Sequence, residues 1–343
     1  MNNKIIAIFI FIIIIGAVFP VVGILNDEKP SLLKKINSNN LIFSDEVPNW
    51  EIGDQWVFKI EDININYEDE YKTLNFNIEV NDLTMKVVEV THDSYRLEYN
   101  SKIGGNFEFH HQGYSLKING EYGRLLSPTI KGDITLRKSD LGIKELNYQF
   151  FGIMKIKIIE NPFISFPIPA IRVPARIYLN MDFDVPYTLI DFPISINKTW
   201  ILPETTITID GEITSIFLKL MNFINKIAGL FNVDLIPSEF AEFLPNIDIG
   251  DVLNGIGNGN SFLLPENPNI GCYSIEDISI DAGTYNVYNI TVPGISESIG
   301  NFYYSTEAGF IIKALIRLDE LLPPGQPITI SIFDLELLST NYQ

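Results

Sequence analysis

From residue 50 onward the chain alternates with a period of two. Leu74-Asn75-Phe76-Asn77-Ile78-Glu79-Val80, Tyr95-Arg96-Leu97-Glu98-Tyr99, Phe107-Glu108-Phe109, Tyr114-Ser115-Leu116-Lys117-Ile118, Ile153 to Ile158, Thr206-Ile207-Thr208-Ile209 and Ile328 to Ile332 each set apolar and polar side chains by turns. Successive side chains of a strand point to opposite faces, so each segment buries one face and wets the other. Turn-type residues punctuate them: Gly104-Gly105, Asn119-Gly120, Lys131-Gly132-Asp133, Asp210-Gly211 and Glu307-Ala308-Gly309. Parallel pairing would need long helical crossovers, and few helical patterns occur. The expected fold is mainly β: one or more curved antiparallel sheets, or a half-barrel.

One stretch breaks the pattern. From Ile213 to Phe231 the apolar residues Ile213, Ile216, Phe217, Leu220, Met221, Phe223, Ile224, Ile227, Ala228 and Phe231 share half of a helical wheel. Ser238 suits an N-cap, Phe240, Phe243 and Leu244 a second apolar face, and Pro245 a stop. The Gly- and Asn-rich run Asn254 to Ser261 follows. A helical insertion is therefore expected at about 213–244, inside a 213–262 excursion. Prolines 162, 167, 169, 174, 186 and 193 mark residues 161–193 as extended and irregular, on an edge or rim.

Ile52-Gly53-Asp54-Gln55-Trp56 and Ile196-Asn197-Lys198-Thr199-Trp200 share a plan: an apolar residue, a tight turn, then a tryptophan opening a strand. Both a duplicated and an unduplicated β-protein accommodate this. The expected organisation is a leader (1–25), a polar spacer (26–47), a first β-region (48–190) and a second (191–343) containing the insertion. Residues 5–25, IIAIFIFIIIIGAVFPVVGIL after Lys4, read as an export signal or as a retained N-terminal anchor, being long enough for either. Both readings put the remainder outside the cytoplasm, secreted or membrane-anchored.

Charge narrows the partners. The net charge of −19 argues against nucleic acid, whose phosphates need a basic face. The one cysteine, Cys272, forms no intrachain disulfide and is expected as a small buried hydrophobe. Oligomeric state is not legible.

Catalytic patterns are scarce. Of the three histidines, His110 and His111 are adjacent and would point to opposite faces of a strand, a poor start for a shared metal. No nucleophile-elbow pattern accompanies them. Asp62 to Glu68 imitates a calcium loop but has Tyr67 where glycine is needed and Thr73 where glutamate is needed. Gly255 to Gly259 lacks the lysine of a phosphate loop. With three tryptophans there is no sugar-stacking cluster beside the many carboxylates. No cofactor, metal or catalytic residue is expected, and no enzyme. Asn197-Lys198-Thr199 and Asn289-Ile290-Thr291 are glycosylation acceptors by pattern.

The stretches Ile52-Gly53-Asp54-Gln55-Trp56-Val57-Phe58, Tyr303 to Lys313 and Thr135-Leu136-Arg137-Lys138-Ser139-Asp140-Leu141 resemble segments of exported, β-rich envelope proteins of prokaryotes, archaea included. More distantly the chain resembles the periplasmic lipoprotein-carrier fold. That resemblance implies a strongly curved antiparallel sheet whose concave side holds acyl chains under helices. It implies no catalytic residue. Together with the amphipathic segment it suggests binding of an apolar ligand or a membrane surface, with Ile216, Phe217, Leu220, Phe223, Ile224, Ile227 and Phe231 as the contacts. A structural or protein-interaction module of the cell surface, with no small ligand, fits the composition as well.

Overall fold

The structure is a computed structural model that describes residues 46–68, 70, 72–111, 116–122, 128–160, 170–215, 247–248, 261–264, 267–293, 298–316, 328–330 and 333–342. All its regular elements are strands. They are β1 (Gln55–Glu68), β2 (Lys72–Val90), β3 (Ser94–His111), β4 (Leu116–Tyr122), β5 (Thr129–Arg137) and β6 (Ile143–Glu160). Next come β7 (Ile171–Tyr187), β8 (Thr199–Leu202), β9 (Thr205–Ser215), β10 (Ile247–Asp248), β11 (Ser261–Leu264) and β12 (Asn267–Ile280). The last are β13 (Gly283–Pro293), β14 (Ser298–Ser305), β15 (Phe310–Ile316), β16 (Ile328–Ile330) and β17 (Phe333–Thr340). They form a single 17-stranded sheet.

Every pairing is antiparallel, and the ladder returns to its start. β1 pairs with β2, β2 with β3, β3 with β4 and β5, and these with β6. β6 pairs with β7, β7 with β9, and β8 and β9 with β12 and β11. β10 lies beside β9 as well. From β12 the ladder runs through β13, β14, β15 and β17, and β16 and β17 pair back onto β1. Taking β4–β5, β8–β9, β10–β12 and β16–β17 each as one interrupted strand gives a ring of twelve positions. An open half-barrel would leave two edges of unpaired N–H and C=O groups, and the β1–β17 pairing removes them.

The alternation decides which face goes in. On β3, Tyr95, Leu97, Tyr99, Ser101, Ile103 and Phe107 are buried, with Lys102 and Asn106 exposed between them. Indoles close one end. Trp50 and Trp56 are buried, with ring centroids 5.1 Å apart. The Trp50 Nε1–H donates to the Gly309 carbonyl (3.0 Å) and the Trp56 Nε1–H to that of Ala308 (2.7 Å). Tyr95, Phe310 and Tyr342 complete the plug. The short connections at 91–93, 138–142, 281–282 and 306–309 all lie at this end. The connections after β1, β3, β6, β9, β13 and β15 leave from the far end.

The structure departs from three expectations. Gly105, Gly120, Gly132 and Gly211 lie inside β3, β4, β5 and β9, not in turns; only the Gly309 turn is one. The reason is crowding: a Cβ on Gly120 would stand 2.0 Å from the Phe107 ring, and one on Gly132 would stand 2.5 Å from the Tyr99 hydroxyl. Residues 171–187 form β7, a strand with neighbours on both sides rather than a rim. Its Pro174 and Pro186 fall just outside the Ala175–Phe183 stretch paired with β9, where no N–H is asked of them. Finally, Ile213, Thr214 and Ser215 end β9, paired to Ile177, Arg176 and Ala175, so the alternation from Thr206 overrides the helical period there. The rest of the amphipathic segment, and residues 1–45, lie outside the described residues.

Residues 55–187 and 199–340 share a register plan. Before β1, Gly53 N–H donates to Val87 O (2.9 Å), Val87 N–H to Asp54 O (2.9 Å) and Asp54 N–H to Glu51 O (3.1 Å). Before β8, Asn197 N–H donates to Cys272 O (2.8 Å), Cys272 N–H to Lys198 O (3.0 Å) and Lys198 N–H to Ser195 O (3.2 Å). Gly53 (φ 107°) and Asn197 (φ 62°) both have positive φ. The bulge after Val87 against β3 corresponds to the bulge after Cys272 against β13. That between Thr135 and Leu136 corresponds to that between Tyr303 and Tyr304. One buried row runs Val87–Leu97–Ile134–Leu146–Met181; its counterpart runs Cys272–Ile290–Phe302–Ala314–Leu335.

Candidate functional site

The interior of the ring is the one place where the described side chains converge in number. Toward the far end its wall includes Ile63 and Ile65 of β1, Val80 of β2, Ile103 and Phe107 of β3, Phe150 of β6 and Leu179 of β7, all buried. Ring diameter grows with strand number; eight strands enclose a space side chains just fill, and twelve enclose more. The Phe107 ring occupies the space that a side chain at Gly120 would have taken.

Polar groups are few in that wall. Among the described residues the buried polar side chains are Ser101, Thr205 and Ser305. The Ser101 hydroxyl donates to the Asn81 carbonyl (2.7 Å), and that of Thr205 contacts Asp184 Oδ1 (2.8 Å) and donates to the Val185 carbonyl (2.7 Å). Ser305 Oγ is buried without a partner. The Tyr99 hydroxyl donates to the Asn147 carbonyl (2.7 Å), and burial pushes its pKa well above the usual phenol value. Burial likewise raises Tyr187. No buried carboxylate, ammonium or imidazole faces inward among the described residues. The described part of this wall offers mainly apolar contact.

The expected site residues fall as follows. Ile216, Phe217, Leu220, Phe223, Ile224, Ile227 and Phe231 lie outside the described residues. Asn197 is exposed in the turn before β8, with its backbone held by Cys272. Asn289 lies within β13, half-buried, its Nδ2–H donating to Glu276 Oε1 (2.8 Å). Cys272 is fully buried, and burial raises its thiol to about 11. His92 is in the β2–β3 connection at the tryptophan end, while His110 is near the far end of β3, roughly 50 Å of strand away. No three His, Cys, Asp or Glu among the described residues are placed to hold a metal ion.

Sequence reasoning did not find the tryptophan plug as a unit, because Trp50 and Trp56 close on a turn more than 250 residues away. The inward glycines were visible in the sequence; reading them as turns concealed them. No known protein family, curated protein or solved structure matches the chain.

Proposed function

We propose that this is an exported, non-enzymatic envelope protein that holds an apolar ligand inside a ring built by duplication of a six-stranded meander. The observation that carries the reading is the apolar inner face, one cluster from the tryptophan plug to Ile65, Ile103 and Phe150, almost without buried polar side chains among the described residues. The matched hydrogen bonds and bulges of the two halves support duplication. The amphipathic segment lies between β9 and β10, leaving β9 at the far end, and its apolar residues suit the same ligand or a membrane surface. The distant likeness to lipoprotein carriers points the same way: acyl chains on the inner side of a curved sheet. Export, by secretion or through a retained anchor at residues 5–25, is part of the proposal.

Native mass spectrometry of the full chain, purified in mild detergent from its own membranes, tests it. A stoichiometric lipid mass that survives detergent exchange is the expected result. A clean protein mass, with organic extracts empty of lipid, favours the structural module instead.

A further inference from the structure

We propose that the outer wall made by β6 and β7 docks on an anionic lipid surface. In a chain of net charge −19, residues 146–159 of β6 and 171–181 of β7 contain no aspartate or glutamate. They carry Lys155, Lys157, Arg172 and Arg176, all exposed on the outer face. Lys155 and Arg172 stand directly opposite each other in the register, an arrangement that costs stability unless an anion relieves it. Glu121 answers one of the two, its carboxylate 2.6 Å from the Lys155 ammonium. Glu212 stands opposite Tyr178 in the register, at the β9 margin of the patch, and Glu160 follows Ile159 at its far end.

The apolar side chains on this wall choose lipid over an acidic protein. Phe151 is 44% exposed, Tyr178 43% and Ile159 46%, on the same two strands as the cations. The Arg176 guanidinium lies over the Phe151 ring at 5.7 Å. A row of cations interleaved with exposed rings and an aliphatic side chain matches a headgroup layer, which offers phosphates above and acyl carbons below. Nucleic acid is disfavoured by the charge of the rest of the chain. This inference deepens the envelope reading and does not depend on a ligand inside the ring.

Because residues 5–25 are themselves apolar, bulk vesicle binding would not isolate the wall. The test is a local probe on the full chain. An environment-sensitive fluorophore is attached at Ile159→Cys, the native thiol being buried, and the protein is reconstituted in phosphatidylcholine vesicles with and without phosphatidylglycerol. The expected result is a blue-shifted, brighter signal only with the anionic lipid. The same label at Asn66→Cys, exposed on β1 across the ring, stays unchanged. Replacing Lys155, Lys157, Arg172 and Arg176 by Gln weakens the response at least ~10-fold with no loss in unfolding midpoint. Equal responses at both label positions, equal responses on neutral lipid, or a response that survives the Gln substitutions each overturns the inference. Ligand masses measured in parallel report on the ring interior separately.

Discussion

The two halves of the ring solve the same opening turn with different residues. In the first half Trp50 precedes the turn, Gly53 takes the positive-φ position and Trp56 opens the strand. In the second, Ile194, Asn197 and Trp200 hold the equivalent places. Trp56 is fully buried and its indole reaches across the chain to Ala308, whereas Trp200 keeps 8% exposure and donates to Leu189, eleven residues away. The first turn thus ties the beginning of the described chain to its end; the second ties a loop to its neighbour. Similarly placed indoles therefore do unequal work, because one joins segments about 250 residues apart and the other only a neighbouring loop.

The largest test of that inequality is truncation. Trp56→Ala removes a buried indole, its hydrogen bond and contacts with Trp50, Phe310 and Tyr342, for an expected loss of about 3–5 kcal/mol. Trp200→Ala is expected at or below the lower end of that range, about 3 kcal/mol. Chemical denaturation of both variants measures the difference. A greater loss at Trp200 would remove the asymmetry between the halves.

The turn itself comes next. A Cβ at Gly53 would meet nothing within 4 Å, so any penalty of Gly53→Ala is backbone strain. Its φ of 107° lies outside the left-handed well of L-residues, and a loss of about 1–3 kcal/mol is expected. Asn197, at φ 62°, already sits in that well, so Asn197→Gly should change stability by only a few tenths, about 0.5 kcal/mol or less. Thermal melts of the pair suffice. A loss at Asn197→Gly as large as that at Gly53→Ala would show that the asparagine side chain, not the backbone, holds the second turn.

The buried rows make a milder comparison. Cys272 stands where the first half has Val87, so Cys272→Val should cost less than about 1.5 kcal/mol. With its thiol raised by burial to about 11, native Cys272 should resist alkylation at pH 8 and react about tenfold faster per pH unit up to that value. Rapid labelling at pH 8 without unfolding would place the thiol outside the core.

Much of this was legible from alternation alone. Period two identified the strands because each has one dry face, and the Gly-Asp-Gln-Trp and Asn-Lys-Thr-Trp segments each announced a tight turn before a strand. Closure was not legible: nothing local in Phe58 or Leu337 says that their strands meet. The inward glycines were misread because a glycine that admits a neighbouring ring looks, in sequence, like one that turns the chain. At Ile213 to Ser215 both periods fit the same three residues, and pairing with β7 decided between them. In the candidate site, the apolar character of the inner wall followed from alternation. The scarcity of buried polar groups depends on which face each strand turns inward, and bulges such as that after Val87 change that face mid-strand.

The smallest effect lies on the outer surface, where the halves differ in charge rather than shape. The second half sets Lys313 opposite Glu336 and joins them at 3.1 Å; the first sets Glu145 opposite Asp182 at the equivalent position. Burial works to raise Glu336, but the Lys313 ammonium, the Asp281 N–H and Lys59 outweigh it and hold the carboxyl below its ordinary value. Its contribution is therefore present above the ordinary carboxylate range and lost as pH falls through its folded value. Asp334 has the opposite sign. Burial raises it despite Lys313, so protonation of Asp334, in the window above the ordinary value, favours the fold as pH falls. Glu145→Lys would give the first half the pair that the second already has. Opposite charges in place of like ones across two exposed strands should add about 0.2–1 kcal/mol at neutral pH, fading in high salt. Lys313→Glu should remove at least as much, because it leaves two part-buried carboxylates facing a third. A gain from Glu145→Lys that persists in 1 M salt would assign the effect to packing, and the electrostatic difference between the halves would fall with it.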